Sequence, residues 1–207
     1  MPKDSSQLKL SILILSIPSR LDKYVALQDK LLGQIGDRED VEVLCMIDNK
    51  SFHIWEKRNV LLQAARGSHL AWLDDDDDVA DNYIEKITGV IADDPSWDVI
   101  SFNQDTYLDG NHARIYCAMD NPHDPVRVGP DGKYMDTLRP PYHWCVWRTE
   151  MAQSEPFRSV YSQTGQSCED IDWLMRLYPK VLRSCKLDDF LHIYNWTSEG
   201  TESVVSQ

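Results

Sequence analysis

The chain has 207 residues, enough for one sizeable hydrophobic core. Its 34 acidic and 21 basic side chains leave a formal net charge of −13, which argues against a sequence-independent grip on nucleic acid without excluding a local basic patch. The longest apolar stretch, residues 8–18, is too short and mixed to span a bilayer and lacks a signal-peptide cleavage pattern.

In chain order, residues 1–7 read as a polar, frayed start. Residues 10–17 are rich in Ile and Leu and stop at Pro18, which predicts a buried strand. Leu21, Tyr24, Val25, Leu31, Leu32 and Ile35 recur at helical spacing, and Gly36 ends that helix. Residues 41–47 form a second strand, closed by the polar turn 48–51. A helix over residues 55–65 follows, with Gly67 as its expected C-cap. Residues 69–73 are a third strand. Asp81 is placed to cap a helix carrying Ile84, Ile87, Val90 and Ile91, and residues 97–102 are a fourth strand.

Beyond about Asn103 the pattern changes to short strand-like pieces, such as 113–119, separated by Gly, Pro and Asp. Gly129-Pro130-Asp131-Gly132 is a turn signal. Residues 142–147 are aromatic and strand-like, 167–177 predict a helix capped by Ser167, and 181–185 and 190–194 predict two last strands. The division expected is a single domain over 1–207, with halves 8–104 and 105–196 and a flexible tail 197–207. Cys45, Cys117, Cys145, Cys168 and Cys185 stand singly. An odd count without paired spacing suits reduced thiols in a cytoplasmic setting, and without a Cys/His pattern zinc is not expected.

Strands alternating with helices imply a mainly parallel sheet flanked by helices, an α/β architecture. Ligands of such sheets bind beyond the carboxyl ends of the strands. Residues 18–20, 48–49 and 74–78 all fall at those ends. The last of these is a run of five aspartates entered directly from Ala71-Trp72-Leu73. Carboxylates so close repel one another, and a divalent cation with oxygen ligands shared with phosphates would offset the cost. The run therefore points to a metal–diphosphate site. The competing reading is a solvated acidic face.

Five ordered segments, residues 10–20, Lys57-Arg58-Asn59, residues 65–70, Leu73-Asp74-Asp75-Asp76-Asp77 and Glu169-Asp170-Ile171-Asp172-Trp173, together resemble a family 2 glycosyltransferase of the GT-A fold. The resemblance covers residues 8–196. It implies a Rossmann-like nucleotide-diphospho-sugar transferase fold, with a nucleotide-binding first half and an acceptor-binding second half. It implies that Ser16, Pro18 and Arg20 line the base and ribose pocket, that Asp48 contacts the base, and that Arg58 and Asn59 lie near the nucleotide. The usual Asp-Asp-Gly-Ser turn is here Asp48-Asn49-Lys50-Ser51, a departure at the base site. Aligning Leu73 with the family makes Asp74 the first acid of its DxD motif, at the ribose, and Asp76 the last, on the metal. Asp75 and Asp77 are the alternatives. Asp170 matches the acid that serves as base in inverting members, with Glu169 and Asp172 in support. Acids there are also favoured by the helix dipole alone.

The implied reaction moves a sugar from a nucleotide-sugar, a UDP-sugar first among them, to a hydroxyl acceptor with Mn²⁺ or Mg²⁺. The acceptor is open among glycan, lipid, protein and a modified base in nucleic acid. His192 is a candidate third metal ligand, against the commoner fate of a packed strand histidine. His143 and Trp144 are placed on the acceptor side, although large aromatics are more often core. Arg148 is expected to meet the diphosphate or an acidic neighbour. Neither the Gln-x-x-Arg-Trp motif nor the membrane helices of the processive synthases is present. A nucleotidyltransferase of similar fold would need a Gly-rich loop, which Ser16-Ile17-Pro18-Ser19-Arg20 is not. A non-catalytic nucleotide- or sugar-binding module is the remaining alternative.

Overall fold

The structure is a computed structural model that describes residues 8–124, 127–163 and 165–197. The polar ends expected at 1–7 and 198–207 lie outside the described residues; of the expected tail only Thr197 is described.

Strand β1 (Leu10–Ser16) is buried along its whole length. It pairs in parallel with β2 (Val41–Ile47) on one side and β3 (His69–Asp74) on the other. Helix α1 (Leu21–Ile35) joins β1 to β2, and α2 (Ile54–Ala64) joins β2 to β3. The first crossover runs from β1 out to β2 and the second back past β1 to β3, and right-handed crossovers in opposite directions place these helices on opposite faces. On one face α1 meets α3 (Tyr83–Asp93), and on the other α2 meets α4 (Thr149–Gln153). Beyond β3 comes β8 (Val146–Arg148), antiparallel, and then β5 (Val99–Leu108). Strand β5 pairs first with β8 at Val99 and Ile100, then with β6 (Asn111–Cys117) from Gln104 onward. The change of sequence pattern near Asn103 falls inside this unbroken strand. Strand β7 (Thr137–Arg139) continues from β6.

The expected pair of final strands is one long strand, β9 (Ser184–Trp196). It follows β5 in parallel, with register breaks between Ser101 and Gln104. Those breaks absorb the polar stretch Asp188-Asp189, which reads as a loop in sequence. Strand β9 also pairs with the two-residue β4 (Asp78–Val79), setting His192 opposite Val79. The segment 142–147 is mostly a turn, closed by Cys145 N–H to Tyr142 O at 3.0 Å, and only its end enters the sheet.

Three helix ends differ from expectation. Ala65 rather than Gly67 caps α2, donating to Leu61 O at 3.1 Å. Gly67 instead lets two strands approach, because a Cβ there would lie 2.7 Å from the Leu10 carbonyl carbon and the Ser11 nitrogen. Asp81 is exposed and Asn82 is the α3 N-cap. Gln34 of α1 takes over the capping, accepting from Ile84 N–H at 3.0 Å and donating to Ala80 O at 3.0 Å. Helix α5 (Glu169–Leu177) begins after Cys168, not Ser167.

The largest buried side chains include Trp72, Trp147, Trp173 and Phe157, which hold α5 against the sheet. Phe157 stacks on Trp173 and meets Trp72 edge-on, with ring centroids 4.8 and 5.4 Å apart. Such contacts anchor helices beyond their area burial alone. No helix among the described residues is long and apolar enough to cross a membrane. None of the five cysteines is paired.

Candidate functional site

The carboxyl ends of β1, β2 and β3 lie side by side because the three strands are in register: Ser16 pairs with Ile47, and Leu15 with Asp74. The aspartate run leaves β3 as a tight turn, closed by Asp77 N–H to Asp74 O at 3.1 Å. Asp77 Oδ2 accepts the Asp74 N–H at 3.0 Å. Within this turn Asp75 and Asp77 are buried while Asp74, Asp76 and Asp78 keep access to the surface.

Each acid has a partner, and Asp75 and Asp76 share one. Asp75 Oδ2 accepts from Ser16 Oγ at 2.8 Å, and its other oxygen meets Arg20. Asp76 shares that same guanidinium, with Lys23 at 3.9 Å. Asp77 Oδ2 lies 3.0 Å from His192 Nε2. Asp78 turns outward to Lys30 at 2.9 Å. Asp74 faces Arg58 Nη2 at 3.7 Å. Burial pushes the Asp76 carboxyl up to about 6; Arg20 opposes this, and the charges of Asp74, Asp77 and Asp75 add to it. Burial also raises Asp75, against its bonds to Ser16 and Arg20.

The structure gives His192 to Asp77, not to Asp74 or Asp76. It is buried and stacks on Trp144, with ring centroids 5.0 Å apart and planes 6° from parallel. Trp144 is itself buried beside Phe102, the core reading weighed against an acceptor role. Arg148 pairs with buried Asp98 near the amino end of β3, far from the rim.

Asp48 at the end of β2 accepts the Ser51 and Phe52 N–H groups at 3.2 and 3.3 Å. These bonds hold its carboxyl below the usual range despite the opposing effect of desolvation. Lys57, buried in α2, lies 3.5 Å from it. Sequence reading passed over this lysine, although it stands beside Arg58 in the quoted Lys-Arg-Asn segment. Pro18 opens an exposed single turn, Pro18–Arg20. Asn59 exchanges two hydrogen bonds with the Phe157 backbone, at 2.8 and 2.9 Å, and so ties α2 to the segment before α5.

Helix α5 supplies the second acidic pair. Glu169 is buried and accepts from Arg58 Nε at 3.1 Å and from Ser167 Oγ at 2.5 Å. Asp170 is half-buried, with His143 Nδ1 3.3 Å from its Oδ2. Burial would raise the Asp170 carboxyl, but His143, Arg58 and the Ile171 N–H outweigh it and hold it at about 2. Asp172 pairs with Arg176 at 2.8 Å. Arg58 thus touches Asp74 on the strand side and Glu169 on the helix side, and it lies over the Trp72 ring at 4.9 Å.

Among the described residues no three His, Cys, Asp or Glu side chains form a ready metal cage. The donor set still fits Mg²⁺ or Mn²⁺, which prefer hard oxygen ligands and commonly take one or two carboxylates plus substrate phosphates and water. Asp76, its carboxyl pushed up to about 6 chiefly by burial, and Asp74 both keep access to that rim.

No family model and no curated protein sequence matches the chain. Among solved structures, S. aureus TarS 1-349 in complex with UDP-GlcNAc matches with a TM-score of 0.66 at 14% identity, over 95% of this chain and 60% of that one. The complex of the same protein with UDP matches with a TM-score of 0.63 at 14% identity, over 93% and 62%. The chain therefore spans about three fifths of that structure's length. At this identity the likeness shows the fold, which is that of the GT-A glycosyltransferases.

Proposed function

We propose that the chain is a metal-dependent, inverting glycosyltransferase that moves a sugar from a nucleotide-sugar to a hydroxyl acceptor. The observation that carries this reading is Arg58, which joins the aspartate turn of β3 to the first turn of α5. A donor-diphosphate element and a candidate base, Asp170, thereby share one rim. In the same fold TarS binds UDP-GlcNAc, which makes a UDP-sugar the first donor to test.

In this reading the segment Ser16–Arg20, Asp48 and Lys57 line the nucleoside, and Asp74 and Asp76 would hold Mn²⁺ or Mg²⁺ on the diphosphate. That ion, when bound, offsets the charge that develops on the leaving nucleoside diphosphate. Asp170 is ionised at neutral pH and takes the acceptor hydroxyl proton as the new C1–O bond forms and the C1–O bond to phosphate breaks. Attack from the side opposite the leaving group inverts the anomeric carbon. The Ile171 N–H, 2.8 Å from Oδ1, orients the Asp170 carboxylate, His143 Nδ1 lies 3.3 Å from the other oxygen, and Glu169 anchors the helix through Arg58.

Thermal melting with UDP, GDP, CDP and dTDP, each with Mn²⁺ and with chelator, tests the donor site. Stabilisation by UDP that requires metal is expected, about 2.7 kcal/mol at a hundredfold excess over Kd. No shift with any nucleotide refutes the reading. Asp170→Asn is expected to keep the UDP shift and lose UDP release from UDP-sugar plus acceptor. A variant that still turned over would exclude Asp170 as the base.

A further inference from the structure

Five acids meet fewer close cations than they need, and one cation is shared. Arg20 Nη2 lies against both Asp75 and Asp76. Asp75 has a second donor in Ser16 Oγ at 2.8 Å, whereas among the described residues the other cation near Asp76 is Lys23 at 3.9 Å. The guanidinium is itself incompletely satisfied, because its Nε is buried without a hydrogen-bond partner. Arg20 ends the short turn Pro18–Arg20 and leads into α1, with its N–H fixed to Ile17 O at 3.0 Å. With its backbone held by that bond, a change of partner would fall to the side chain.

We propose that Arg20 is an internal stand-in for the divalent cation, holding Asp76 while the donor is absent and passing to the donor's diphosphate when the metal takes its place. This rests on the donor-site reading above. The charges account for the exchange. One guanidinium leaves the Asp75–Asp76 pair with a net negative charge, and a divalent cation would neutralise it. The nucleoside diphosphate brings negative charge of its own, and a released arginine can meet phosphate oxygens in a bidentate pair. Metal alone must displace Arg20 with nothing to receive it. Metal with nucleoside diphosphate gives it a new partner. Arg20 thereby makes the two ligands bind cooperatively, and the coupling must be reciprocal.

Calorimetric titration of Mn²⁺ into the full chain, with and without saturating UDP, reads this coupling. Wild type is expected to bind Mn²⁺ weakly alone and much more tightly with UDP. Arg20→Gln removes the competing charge, so Mn²⁺ alone is expected to bind about tenfold tighter, as loss of one nearby like charge implies. Its enhancement by UDP should shrink. Arg20→Lys keeps the charge but not the planar fork; it is expected to leave Mn²⁺ binding unchanged and weaken UDP binding. Melting in chelator verifies that each variant folds. Arg20→Gln binding Mn²⁺ no tighter than wild type without UDP overturns the inference alone, as does Arg20→Lys binding UDP as wild type does. Wild type showing no Mn²⁺ binding even with UDP overturns the donor-site reading and this inference together.

Discussion

Replacing Arg58 by Met tests the bridge between the two acidic elements. The Arg58 side chain is 4% exposed and Glu169 opposite it is also 4% exposed, with 3.1 Å between Nε and Oε1. Methionine retains much of the aliphatic packing against Trp72 and Phe157 but leaves Glu169 buried without its cation. Removing one partner of a buried pair costs about 3–5 kcal/mol. For a chain of this length that lowers Tm by roughly 6–20 °C, at about 2–4 °C per kcal/mol. The double variant Arg58→Met/Glu169→Gln removes both charges and should recover most of the loss, since apolar or neutral replacement of a whole buried pair is often near neutral. Urea denaturation of wild type, both single variants and the double variant at pH 7.5 gives the coupling energy directly. A coupling above about 2 kcal/mol is expected for a buried pair. Additive single effects, or a loss under about 1 kcal/mol for Arg58→Met, would show that Arg58 does not join β3 to α5 energetically. The double variant should also hold UDP and yet turn over slowly, because Asp170 rides on the helix that Arg58 anchors.

Three further outcomes are expected. Asp76→Asn should stabilise the chelated protein at pH 8, because the Asp76 pKa raised to about 6 makes its ionised form unfavourable in the fold. The sign runs with proton release: wild-type stability rises as pH falls through 6 toward 3.8, so the variant's advantage, about 1–3 kcal/mol, should vanish near pH 4; an advantage independent of pH would contradict the charge argument. Asp170→Asn should cost about 1–2 kcal/mol at pH 7, since a pKa held at about 2 contributes stability that is complete above 3.8 and lost as pH falls through 2. Melting curves of both proteins from pH 7 to pH 2 should therefore converge at the acid end. Gly67→Ala should lower stability by about 1–3 kcal/mol, as overpacking does, because its Cβ would meet the β1 backbone at 2.7 Å; an unchanged Tm would show that β1 and the residues before β3 can move apart.

The first half of the fold was legible because its signals are local. The apolar run of β1, the helical spacing of α1 and the positive φ of 52° at Gly36 each depend on neighbours in sequence. What was not legible depends on pairing between distant segments. Strand β9 looks like two strands because Asp188 and Asp189 interrupt its apolar pattern, and only β5 beside it shows that the register breaks absorb them. Gly67 reads as a helix end because helix ends commonly need glycine; its true constraint is a backbone 56 positions away. Gln34 caps α3 from another helix, which no local capping rule would find. Partners of the buried aspartates are also remote: Ser16 and Asp75 are separated by 59 positions, and Asp77 and His192 by 115.

Those remote partners alter what the aspartate run implies. Five adjacent carboxylates suggest that a fold must recruit a metal to tolerate them, yet each acid here has a protein partner. Asp77 closes the turn and holds β9 through His192, and Asp78 holds α1 through Lys30. Asp75 fastens β3 to β1 through Ser16. These three act as structure, and a metal is not needed to explain them. That leaves Asp76, whose carboxyl is pushed up to about 6 chiefly by burial, beside Asp74, which opens to the rim. A cation that relieves this site need satisfy only those two positions, with phosphate and water completing its shell, as small hard cations commonly require. On the proposed reading a metal would answer to the two acids that keep access to the rim, Asp74 and Asp76, and not to the number of acids in the run.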